Sequence, residues 1–270
     1  MESFRETVTA AVSDFAEHGY DNQERLEHWM AAIRAAAERD LTPEFDLVQG
    51  LKDTFEAVYR RQVEQGSLMR THAVDRYTLD RIKPKLRDEL DRRILASANL
   101  IRLNRATAIQ DTLQRFSGWA TSIPIGGSDV VRRNPVKSDI RKALASLPFR
   151  ERRVAIDQGH KFAANLSEIL ATDGGAIAGA WRHHYVRYPR VEHVARAGNI
   201  YLVRDSWAHK AGLVKPSEHG YTDEITKPGE EVLCRCAYQW LFSFGRLPSE
   251  MLTRKGHEEL ERVRLQMKAA

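Results

Sequence analysis

The stretch from Thr78 to Phe116 constrains this chain more than any other. Leu79, Ile82, Leu86, Leu90 and Ile94 recur at the spacing of one apolar face of an α-helix. Pro84 falls in the second turn, where it either delays the start or kinks the helix. The segments before it read the same way. Ser3 and Glu6 have the form of a capping box ahead of Phe4, Val8, Ala11, Val12 and Phe15. After the break at His18–Tyr20, Asp21 and Glu24 can open a second helix with the face Leu26, Trp29, Met30 and Ile33. Pro43 suits the first turn of a third, carried by Leu47, Leu51, Phe55 and Val58, with Gly66 as its stop.

The heaviest punctuation is "SIPIGGSDVVRRNPVKSD", residues 122–139. It predicts a linker at 122–137 between a helical region, 1–121, and a second module, 138–247, closed by a C-terminal helix, 248–270. Within the second module, Ser138–Leu147 and Phe149–Leu170 have helical periodicity, and "TDGGAIAGAW" turns into a short helical piece around Trp181. The residue grammar then changes. "NIYLVRDSW" (199–207) and "EVLCRCAYQW" (231–240) have strand composition, with turn-rich connections between them. The expected class is α+β and mostly helical: long N-terminal helices, then a small α+β module with a short antiparallel sheet and a C-terminal helix.

Composition narrows the classes. The chain is 42% hydrophobic and 29% charged, enough to fold around a core. No apolar run reaches the length of a membrane helix, and the polar, acidic start does not read as a signal peptide. Two cysteines are too few for a disulfide scaffold and suit a reducing cytoplasm. Charge is uneven: thirteen acids against five bases up to Val58 give −8, and with +5 overall the remainder carries +13. Such a chain can lie between a basic and an acidic partner, although solvated helix faces also carry charge. Arg132, Arg133, Lys137, Arg141 and Lys142 are the candidate contacts to DNA phosphate. No zinc-finger, RNP or helix-turn-helix signature accompanies them.

Both cysteines sit in one short motif, Cys234-Arg235-Cys236. On a strand, residues two apart face the same side, so the two sulfurs would share a face opposite Arg235. A disulfide between them is geometrically poor in extended backbone. A zinc site would need further ligands, from His183, His184, His193, His209 or His219, and its usual cysteine spacing is longer. Packed thiols on a core face are the simpler reading. His183 and His184, if helical, would point about 100° apart and make poor joint ligands. His193 reads as a hydrogen-bonded structural histidine. Phosphate loops, serine elbows and His-Glu-x-x-His are missing, and Asp157, His160, Glu168 and Asp173 do not form an acid–base set.

In order, "RRVAIDQGHKFAANLSEIL", "AGAWRHHYVRYPRVEHVARAGNIYLV" and "PGEEVLCRC" resemble the C-terminal domain of the phage head morphogenesis family, the minor head proteins. Asn165, Trp181, Arg190, His193, Gly198, Pro228, Cys234, Arg235 and Cys236 take the places of the family pattern. The resemblance covers roughly Arg153 to Trp240. Asp157 stands where many members carry a Thr-Glu pair, and no His-Pro directly precedes the cysteines. The resemblance implies structural work and no enzyme. It implies a low-copy virion protein in the head of a tailed phage, assembled in the host cytoplasm and bound to the portal protein or the major capsid protein. Contact with packaged double-stranded DNA, no membrane and no cofactor complete that expectation. Two other functions compete with it: a zinc-dependent nuclease or hydrolase using His193, Cys234 and Cys236, and a nonspecific DNA-binding factor.

Overall fold

The computed structural model describes residues 2–64 and 76–269; the helix stop expected at Gly66 lies outside them. The described residues are mostly helical with one small antiparallel sheet, the class the sequence predicts. It divides into two compact units, Met1–Asp53 with Ile94–Ala155, and Thr54–Arg93 with Ile156–Ala270.

The first unit holds α1 (Phe4–His18), α2 (Gln23–Asp40), most of α3 (Glu44–Tyr59), the later part of α4 (Arg76–Ala120), α5 (Arg133–Ala145) and the start of α6 (Leu147–Asp173). The predicted capping box is formed: the Glu6 carboxylate accepts from Ser3 N–H, and Ser3 Oγ accepts from Glu6 N–H. Asn22, one residue beyond the expected Asp21, caps α2 by accepting from Arg25 N–H. Val8, Ala11, Val12 and Phe15 bury the predicted face of α1 against Leu26, Ile33, Ile109, Leu113, Phe116 and Ile140.

The segment 122–137 is not a linker. Its N–H groups fold back on the end of α1, Gly126 donating to the His18 carbonyl and Ser128 to that of Ala16, both at 2.8 Å. It then enters α5, which packs on α1 within the same unit. Pro135 falls within the first turn of α5, so the residue that looked like a breaker is compatible with a helix start. Gly19 shows how tightly this turn closes. Its backbone stands at φ +75, ψ −175, a region essentially reserved for glycine, and an added Cβ would lie 1.7 Å from the Pro124 carbonyl oxygen. Gly19→Ala is expected to lower stability by about 3 kcal/mol, strain plus clash, read as a shift in denaturation midpoint.

In the second unit, α4 and α6 enclose a buried polar strip. Glu89 pairs with Arg93 at 3.1 Å, Arg93 donates to Gln158 Oε1 at 3.1 Å, and Asn165 donates to Glu89 at 2.9 Å. Pro84 lies inside α4 without ending it. Phe55 and Phe162 meet at 5.9 Å in the same unit.

The sheet has the order β2-β1-β3, from β1 (Ala178–Arg182), β2 (Ile200–Leu202) and β3 (Ala237–Leu241), antiparallel throughout. The central strand is the "AGAWR" segment expected as helix. Alanine and glycine are weak strand formers. What makes this a strand is pairing on both sides, Gly179 opposite Tyr201 on one edge and Trp240 on the other. Gly179 also leaves room for the Tyr238 ring, which an added Cβ would approach to 2.8 Å. Between the strands lie α7 (Val191–Ala195) and α8 (Trp207–Lys210). Two 3₁₀ turns follow β3, and α9 (Arg254–Ala269) starts later than the expected residue 248.

Candidate functional site

β3 begins at Ala237, so Cys234 and Cys236 precede the strand on which the sequence placed them. The reason is a turn. Leu233 adopts φ +58, a left-handed conformation that costs a residue with a side chain about 1–2 kcal/mol. It is held there because its N–H donates to the buried carboxylate of Asp157 on α6, while Cys234 N–H donates to the Glu231 carbonyl. The turn re-aims the chain so that both sulfurs still reach one point. Cys234 Sγ lies 3.5 Å and Cys236 Sγ 3.6 Å from His193 Nδ1. All three side chains are buried.

His193 comes from α7, a single helical turn whose entry is fixed by Arg190. That guanidinium holds Glu231 at 2.8 Å and donates to the Val232 carbonyl at 2.7 Å. Glu231 Oε1 in turn lies 3.3 Å from His193 Nε2, close but off hydrogen-bonding alignment. The imidazole therefore has sulfur on one nitrogen and a carboxylate on the other.

Trp181 closes the site from below. It is fully buried, edge-on to His193 at 5.3 Å and to Tyr238 at 5.9 Å, and its indole N–H faces the Cys236 sulfur outside hydrogen-bonding geometry. The turn at Gly198–Asn199 bonds both backbone groups of Trp181, at 2.9 and 2.8 Å. Gly229, beside the buried Pro228, donates its N–H to Cys234 Sγ at 3.4 Å. Burial pushes the Cys236 thiol up, opposed by the backbone N–H of His184. A cavity of about 500 Å³ opens beside the sulfurs, lined by His183, His184, Arg190 and His193.

Seven of the nine pattern residues thus gather at or around one cluster: Trp181, Arg190, His193, Gly198, Pro228, Cys234 and Cys236. Arg235 is exposed between the cysteines, and Asn165 is bound to Glu89 in the polar strip. His183 and His184 follow β1 in irregular chain and are not helical neighbours. His209 meets the Tyr221 hydroxyl and His219 stacks near Tyr201, so neither joins the cluster. Glu231, which shapes the site, was not identifiable from the sequence, and Asp157 was visible in it only as a departure from the family pattern. Glu231 is one of two adjacent glutamates, and Asp157 lies 76 residues from the N–H it accepts.

The carboxylates of α6 are held separately. Asp157 pairs with Lys161, Glu168 with Lys227, and Asp173 with Lys85. Among the described residues, His193, Cys234 and Cys236 are the group of histidine, cysteine or carboxylate donors close enough to share a metal ion. Tyr238, above Trp181, has a buried hydroxyl without a hydrogen-bond partner, and burial raises its pKa first, with Tyr201 adding to the effect. Unfolded, this phenol ionises near pH 10; folded, it keeps its proton to higher pH. Stability from Tyr238 is therefore complete below about pH 10 and falls as pH rises beyond it, and Tyr238→Phe is expected to flatten that decline in denaturation at alkaline pH.

The candidate phosphate contacts lie in the first unit, and part of their charge is already used. Arg133 pairs with Glu17 at 3.2 Å, and Arg141 Nε donates to the Lys137 carbonyl at 2.9 Å. Arg141 and Lys142 line a cleft of about 770 Å³ with Arg105, which itself pairs with Glu151. Arg132 stands at the N-cap of α5. No helix among the described residues is long and apolar enough to cross a membrane. Comparison with protein-family models, curated proteins and solved structures finds no match.

Proposed function

We propose that this chain is a structural minor head protein of a tailed phage, bound to the portal or the inner capsid and acting by binding, not by catalysis. The observation that carries this reading is the convergence just described. The nine residues that match the ordered family pattern are spread from position 165 to 236, yet seven of them meet at one buried cluster or brace its edges. A chance match of scattered residues has no reason to close on one point in space.

Two further features support it. The carboxylates of α6 each hold a separate structural partner, so they do not converge on a reacting centre. The segment leading into α7 exposes Tyr185, Tyr188 and Val191 together with Val232, an apolar surface suited to a protein neighbour. In this reading the portal or major capsid protein is the partner, and the basic residues of α5 are the contact to packaged DNA.

The test is the composition of purified particles from a phage carrying this gene. The chain is expected by mass spectrometry at low copy, and a portal pull-down should retain it. Full virions that lack it overturn the reading. Charge reversal at Arg132, Arg133 and Lys137 is expected to lower DNA retention in the head; unchanged retention removes the DNA contact while leaving the portal contact standing.

A further inference from the structure

The geometry points to a metal clasp: His193, Cys234 and Cys236 bind one thiophilic divalent cation, zinc by its preference for thiolate and imidazole, and so tie α7 to the turn at 229–236. This does not depend on the role in the phage head.

Distance is the first argument. A tetrahedral zinc with bonds of about 2.3 Å to sulfur and about 2.0–2.1 Å to nitrogen separates those donors by roughly 3.6 Å. Here both sulfurs stand 3.5 and 3.6 Å from the same nitrogen. A pair of thiols alone does not demand that symmetry, because an imidazole nitrogen has one in-plane lone pair and can accept one well-aligned S–H.

The far side of the imidazole is the second argument. A metal-bound histidine commonly turns its other N–H to a carboxylate, which fixes the tautomer that ligates. Glu231 stands beside that nitrogen, its Oε1 3.3 Å from Nε2 though off hydrogen-bonding alignment, and Arg190 holds Glu231 from the other side.

Charge and protons balance. The cation displaces one proton from each thiol to solvent, and two thiolates neutralise its two positive charges, so the buried site stays neutral. Three protein donors leave a fourth position. The cavity that borders all three donors is also lined by His183 and His184, so water or one of those imidazoles can complete the tetrahedron.

The experiment uses the full chain, free of any histidine tag, stripped with a chelator and then dialysed against zinc. Elemental analysis is expected to find one zinc per chain, lost in Cys234→Ser and in Cys236→Ser. Glu231→Gln keeps all three ligands and is expected to weaken zinc binding by about 10–100-fold. Cobalt in place of zinc should give thiolate charge-transfer absorption with the intense visible bands of a tetrahedral ion. Because a cysteine variant can fail by misfolding, the unaltered chain supplies an independent measurement: zinc should slow the reaction of both thiols with a disulfide reagent. No zinc retained by the unaltered chain, equal thiol reactivity with and without zinc, or a weak octahedral cobalt spectrum each overturns the proposal.

Discussion

Replacing Trp181 with alanine is expected to lower stability by about 3–5 kcal/mol, the range for removing a large aromatic side chain from a packed core. Trp181 is fully buried on the central strand. Its ring is the surface on which His193, Tyr201 and Tyr238 pack, at 5.3, 6.5 and 5.9 Å, and Arg196 lies over it at 5.3 Å. No neighbour can fill the space without leaving its own place in the sheet or in α7. Trp181→Phe retains an aromatic edge and should cost less, about 1–2 kcal/mol, by the lost area. Chemical denaturation measures both, and amide exchange in residues 178–182 and 200–202 should locate the loss in the sheet. A change below about 1 kcal/mol for Trp181→Ala would contradict this account of the core.

Asp157→Ala is the second large effect, about 3–5 kcal/mol, because it breaks a buried ion pair from one side. The carboxylate and the Lys161 ammonium are 3.1 Å apart, with side chains only 9% and 15% exposed. Removing the acid leaves that ammonium without its counter-charge. It also leaves the Leu233 N–H without an acceptor in a left-handed turn that already carries strain. The second consequence reaches the cysteines, since this turn sets the direction of both sulfurs. Faster reaction of Cys234 and Cys236 with a thiol reagent is therefore expected along with the lower denaturation midpoint. Asp157→Asn keeps an acceptor oxygen for Leu233 but not the charge. It should hold the thiols closer to their normal reactivity while still losing stability. Equal thiol reactivity in Asp157→Ala and the unaltered chain would show that the turn does not need its clamp.

Asp157 also illustrates how the sequence misled. It stood out only as a departure from the family pattern, standing where many members carry a Thr-Glu pair. In the structure it is a buried polar site, aimed at the cysteine turn. The feature was visible, but its use depends on a contact 76 residues away. Glu231 is the same case. One of two adjacent glutamates, it becomes distinct only because Arg190 and His193 converge on it.

The long helices α1–α4 and α6 and the capping box at Ser3 and Glu6 were determined by the sequence alone, because helical hydrogen bonds and apolar faces are made between residues three or four apart. The pairing of the sheet, the packing of residues 122–137 on α1 and the meeting of His193 with both cysteines were decided by tertiary structure. "AGAWR" has the local preferences of a helix or turn and becomes the central strand because two other segments bond to its edges. "SIPIGG" has the composition of a linker and becomes a packed turn because the end of α1 accepts its N–H groups. Cys-Arg-Cys has the alternation of a strand and instead follows a left-handed turn that Asp157 stabilises. In each case the deciding partner is far away in sequence, and only folding brings it within bonding distance.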